Sequence, residues 1–82
     1  MNYMNKIDCQ RLTDVESGSS VVIERFEGGG TFKEKLVSMG ILPGKEIDIL
    51  SSRKNGPVVL KIHDTRLALG HGMAQKIFVK KK

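Results

Sequence analysis

The sequence contains one cysteine, Cys9, so no disulfide can form within the chain. A lone thiol fits a reducing, intracellular compartment. Tryptophan is absent, and the other aromatics are only Tyr3, Phe26, Phe32 and Phe78. The core is therefore expected to be aliphatic. No segment has the length of apolar sequence needed to span a bilayer. The opening MNYMNKIDCQRL lacks the continuous apolar stretch of a secretory signal. These absences lead us to expect a cytoplasmic protein with no direct membrane insertion.

At 82 residues the chain makes one small domain, residues 1–82. The expectation is an ordered part over about 7–79, a loose N-terminus and a Lys-rich tail. A domain of this size has one compact core and little room for a deep, water-excluding cleft. That argues against an enzyme. The net charge is +5, and Lys80, Lys81 and Lys82 carry three of those charges. The rest of the chain mixes both signs. The tail therefore reads as a solvated, frayed end, not as a nucleic-acid arm.

What is present is mostly strand. LTDV, 12–15, reads as an entry turn. SVVIERF, 20–26, is β-branched and reads as a strand. Thr31 and Glu34 have capping-box spacing. Phe32, Leu36 and Met39 then share one face of a helix of about two turns. Lys33, Glu34 and Lys35 point away from it. Gly40 is a helix stop. LPGK, 42–45, suits a type II turn, with Pro43 presetting its φ and Gly44 supplying positive φ. EIDIL, 46–50, alternates as a strand. Asn55-Gly56 is a hairpin signal before the strand VVLKI, 58–62. RLAL and IFV are two further short strands. The expected fold is mainly β: a small SH3-like β-barrel of about five antiparallel strands, with a short helix inserted after the first strand. Gly30, Pro43, Gly44 and Gly56 are the expected structural turn residues.

The triple glycine Gly28-Gly29-Gly30 precedes a helix, as phosphate loops do. It lacks the following Lys-Ser/Thr pair, and Glu27 and Glu34 would repel phosphate. It reads as a flexible passage from strand to helix. His63, Asp64, His71 and Cys9 are the candidate metal ligands, but their spacing matches no strong zinc pattern. The reading is no metal site, no cofactor and no catalytic set. His63 and Asp64, as neighbours on a strand, would point to opposite faces. A nucleic-acid binder would interleave basic residues with exposed aromatics; Phe26, Phe32 and Phe78 instead occupy core-like positions.

The stretch KLVSMGILPGKEIDIL carries Leu36, Met39, Gly40, Ile41, Pro43, Gly44 and Ile47. Gly56-Pro57 and then Ala74, Ile77 and Val79 follow it. Over about residues 10 to 79 this pattern resembles the FeoA family. The resemblance implies a cytoplasmic accessory of the ferrous-iron transporter FeoB, a membrane protein with a cytoplasmic G-protein domain. It implies action by protein–protein contact, and it supplies no catalytic residues. FeoA-like domains also occur fused to DtxR-type metal-dependent repressors. A stand-alone metal-responsive barrel and a small-barrel nucleic-acid binder are therefore the alternatives. Monomer and weak homodimer both remain open. The expected partner surface is Val37, Met39, Gly40, Ile41 and Leu42. So many apolar residues are hard to bury entirely in a small domain, and an exposed apolar patch marks a binding face.

Overall fold

Alternation of apolar and polar residues decides the strands of this protein. The computed structural model describes residues 9–82. The elements are β1 (Cys9–Arg11), a 3-10 turn (Leu12–Asp14), β2 (Ser20–Phe26), α1 (Gly30–Ser38), β3 (Glu46–Ser52), β4 (Val58–Ile62), β5 (Thr65–Leu69), α2 (His71–Ala74) and β6 (Ile77–Lys81). Val21 and Ile23 in β2, Ile47 and Ile49 in β3, and Val58, Leu60 and Ile62 in β4 are buried at every second position. This period of two puts one face of each strand on a single core.

The strands form one antiparallel sheet in the order β1-β6-β2-β3-β4-β5. The fold is mainly β and SH3-like, as expected. Its edges, β1 and β5, do not pair among the described residues, so the barrel stays open there. Among the described residues there are six strands, one more than the sequence pattern suggests. The additional strand is β1, which aligns Cys9, Gln10 and Arg11 with Lys80, Val79 and Phe78. Its three residues carry no β-branched signal; pairing with β6 makes it a strand.

Among the described residues the core is aliphatic, with no aromatic among its fully buried members. Phe26 and Phe32 pack partly buried against it. Leu12 and Val15 contribute from the 3-10 turn region, Leu36 from α1 and Ala74 from α2. A residue near 250 Å² of aromatic surface is not needed when many Ile and Val side chains interdigitate at crystal-like density.

The C-terminal lysines are not a frayed tail. The β2–β6 ladder continues to Val22↔Lys80 and Val21↔Lys81. Lys80 lies 3.3 Å from Glu24, and Lys82 lies 3.2 Å from Glu46. These pairs are half-exposed and worth little individually; the backbone ladder holds the segment. The loose stretch expected at residues 1–6 lies outside the described residues.

Candidate partner-binding surface

The helix α1 is short and depends on packing, since two turns alone are marginal in water. Leu36 is its one fully buried residue, flanked by partly buried Phe32 and Met39. The helix starts at Gly30, with Gly29 at the N-cap and no side-chain cap. Thr31 and Glu34 therefore do not form the expected capping box. Gly30 is itself helical, its φ is not positive, and a Cβ there would meet nothing within 4 Å. The permissive glycine is Gly28, at φ +120.

At the other end the chain forms a Schellman cap. Gly40 donates its N–H to the Val37 carbonyl at 2.9 Å, and Ile41 donates to the Leu36 carbonyl at 2.9 Å. Gly40 sits at φ +86, the left-handed conformation this cap requires. The motif brings Ile41 back over Leu36, and Ile41 is buried at 1% exposure. Ile41 is thus a core residue and cannot itself meet a partner.

The next four residues form the expected type II turn. Lys45 donates its N–H to the Leu42 carbonyl at 3.1 Å, with Pro43 and Gly44 between them. Gly44 has φ +90, as the third turn position demands. Its N–H donates to the Ile23 carbonyl at 2.8 Å, and Ile23 donates back to the Lys45 carbonyl at 2.9 Å. The turn is therefore tied to β2 and is not free to move as a loop.

What remains outside is a small apolar surface. Val37 is 48% exposed, Met39 and Leu42 are half-buried, and Pro43 is exposed. Gly40 adds open space, because a Cβ there would meet nothing within 4 Å. The amphipathic pattern alone could not divide the five candidate residues this way; the cap does. Among the described residues Leu50 is the other exposed large hydrophobic residue, at 41%. Alternation after buried Ile47 and Ile49 places it on the outside of β3, and a register shift between Ile49 and Ser51 leaves it at a bulge.

The other candidates do not converge. Cys9 lies on β1, His63 and Asp64 form the β4–β5 turn, and His71 opens α2. Among the described residues no three His, Cys, Asp or Glu side chains stand close enough to hold a metal ion together. His63 is a turn residue at φ 56, not the end of a strand. Lys45 Nζ lies 3.5 Å from His63 Nε2. Gly56 also differs from expectation. Asn55, at φ 62, takes the left-handed position, and the Gly56 N–H closes the turn on the Arg53 carbonyl at 3.0 Å. Gly56 matters for space instead, since a Cβ there would lie 3.3 Å from the Arg53 Cβ.

One feature of the surface was missed in the sequence. Phe78 is not a core residue. It lies on the outer face, between Arg11 of β1 and Arg25 of β2 in the strand register. The Arg25 guanidinium carbon is 4.0 Å from the ring centroid and that of Arg11 is 5.0 Å away. Arg11 also donates to the Gln75 carbonyl at 2.7 Å and lies 3.6 Å from Glu27. The alternation Ile77-in, Phe78-out, Val79-in is the signal that could have found it.

Residues 10–81 match the FeoA domain family. A protein of Methanocaldococcus jannaschii, assigned provisionally as Fe(2+) transport protein A, is 32% identical over 68 residues, covering 83% of this chain and 82% of that protein. A Porphyromonas gingivalis protein is an Fe(2+) transport protein A/Fe(2+) transporter FeoB fusion. It is 34% identical over 70 residues, covering 84% of this chain and only 8% of the fusion. The crystal structure of an iron uptake regulatory protein (FeoA) superposes with a TM-score of 0.84 at 32% identity, covering 90% of this chain and 99% of that one.

Proposed function

The chain belongs to the FeoA family, and on that premise we propose that it is an accessory of ferrous-iron uptake that works by binding a FeoB-type transporter on its cytoplasmic side. The observation that carries this reading is the Porphyromonas gingivalis fusion, in which a relative of this chain and the transporter FeoB are one polypeptide. Covalent linkage raises the effective concentration of one module beside the other. It is useful where the two must meet. On this reading the contact is the apolar surface of Val37, Met39 and Leu42 around Gly40. Ile41 supports it from beneath. No helix among the described residues is long and apolar enough to cross a membrane. The protein acts without a reaction of its own, and the nucleotide chemistry lies in the partner.

A short helix end with a half-exposed Val, Met and Leu suits a groove-and-knob contact with a partner segment. A charge placed there stays unpaired when the partner docks, which is costly. Ferrous uptake in cells carrying the deletion, or the Val37→Asp variant, tests the proposal. The expected result is poor uptake in both, with the purified variant folded by circular dichroism. Normal uptake in the deletion would remove the transporter role. Normal uptake with folded Val37→Asp would move the contact elsewhere.

A further inference from the structure

Among the described residues the strand β5 ends the sheet and pairs only with β4. His63 and Asp64 make a two-residue hairpin turn, so the flanking pair Ile62↔Thr65 closes it with hydrogen bonds. Bonded and non-bonded pairs then alternate along the ladder. Leu60↔Leu67 and Val58↔Leu69 are bonded pairs, and Lys61↔Arg66 and Val59↔Ala68 are not. The main-chain N–H and C=O groups of Arg66 and Ala68 consequently point away from β4, out of the sheet edge. Both residues are exposed. An uncovered edge of this kind is a template for another strand.

The side chains beside that edge are not neutral. Lys61 and Arg66 stand directly opposite each other, in the register where side chains approach most closely. Like charges so placed repel. Among the described residues neither has a carboxylate oxygen within 4.0 Å. Asp48 is opposite Lys61 in the register but takes the Ser20 hydroxyl at 2.7 Å instead. The next cross-strand row is apolar or small: Ser51, half-buried Val59 and exposed Ala68. Exposed Leu50 lies at the bulge beside that row.

We infer that β5 receives an extended segment of another protein as a seventh strand, antiparallel to it, with a Glu or Asp opposite Arg66 and an apolar residue opposite Ala68. The carboxylate relieves the Lys61–Arg66 repulsion, and the main chain supplies the hydrogen bonds. A second copy of this chain is a poorer occupant. Its own edge would bring a further Lys61–Arg66 pair to the same place, between molecules that each carry a net charge of +5. The inference is separate from the transporter reading. It concerns different residues, and its test contains no transporter.

The test uses the isotope-labelled full chain and a blocked peptide, acetyl-Thr-Thr-Val-Thr-Glu-Thr-Thr-amide, followed by NMR and amide exchange. The expected result is slowed exchange at the Arg66 and Ala68 amides and shifts confined to β4 and β5. The peptide with Lys in place of Glu should bind on the order of tenfold more weakly. Arg66→Glu should reverse that preference, which controls for folding within one measurement. Ala68→Pro removes an outward donor without touching a β4 bond, so it should abolish binding while the domain stays folded. The inference is overturned if the Glu peptide does not bind at millimolar concentration, or if the Glu and Lys peptides bind equally. It is also overturned if protection appears on α1 instead. Protection of Arg66 and Ala68 that rises with protein concentration in the absence of peptide would assign the edge to a second copy and overturn it as well.

Discussion

Ile41 donates its N–H to the Leu36 carbonyl at 2.9 Å, and both side chains lie in the same buried core. This one relationship sorts the Met39-Gly40-Ile41 run into separate duties. Gly40 makes the reversal, Ile41 returns to the core, Met39 stays half-buried against it, and Val37 is left on the outside. The helix is held by its cap, by buried Leu36 and by partly buried Phe32 and Met39, so Val37 is spared from packing.

Gly40→Ala should destabilise the fold by about 1–2 kcal/mol, the cost of a side chain in the left-handed region. A Cβ there meets no atom within 4 Å, so the loss is purely backbone strain. Urea denaturation checks it, with an unchanged m-value expected.

Gly44→Val should cost on the order of 1–3 kcal/mol, because a β-branched residue at φ +90 is strained further. The turn is anchored to Ile23 through the Gly44 N–H. An unchanged midpoint of thermal unfolding would contradict the type II turn.

Gly30→Ala should do the opposite. Gly30 is helical, without positive φ and with open space around it. Replacing a helical glycine by alanine stabilises by about 0.5–1 kcal/mol. The same thermal measurement should show a raised midpoint, and a lowered one would mean that the helix starts later.

Val37→Asp and Ile41→Asp should part company, although only three residues separate them. Val37 is 48% exposed and Ile41 1%. The first should leave a folded protein that fails in ferrous uptake. The second buries an unpaired carboxylate and should unfold the domain. Circular dichroism separates the two, and Ile41→Ala should still cost about 2–5 kcal/mol.

Arg25→Ala should cost about 0.5–1 kcal/mol through loss of its contact with the Phe78 ring, 4.0 Å away. High salt should mimic little of that loss, because much of the contact is packing. A double-mutant cycle with Phe78→Ala measures the pair, and a coupling energy of zero would show that the ring and the guanidinium do not interact.

The sequence by itself determined what local chemistry controls. Strands β2, β3 and β4 follow from two-residue alternation. The helix after the glycines follows from Phe32, Leu36 and Met39, and the Pro43-Gly44 turn follows from the φ each residue allows. The aliphatic core follows from the lack of aromatics. Tertiary structure decided what depends on distant partners. Cys9–Arg11 is a strand only because β6 pairs with it, and the terminal lysines are ordered for the same kind of reason. Phe78 is outside by alternation, but only the register sets Arg11 and Arg25 on either side of it. Gly30 and Gly56 look in sequence like the turn glycines, yet Gly28 and Asn55 take the positive φ. Ile41, a β-branched aliphatic residue like Val37, went inside because a hydrogen bond from its own backbone to Leu36 turned it there. Apolar composition states that something must be buried; only the path of the backbone chooses which.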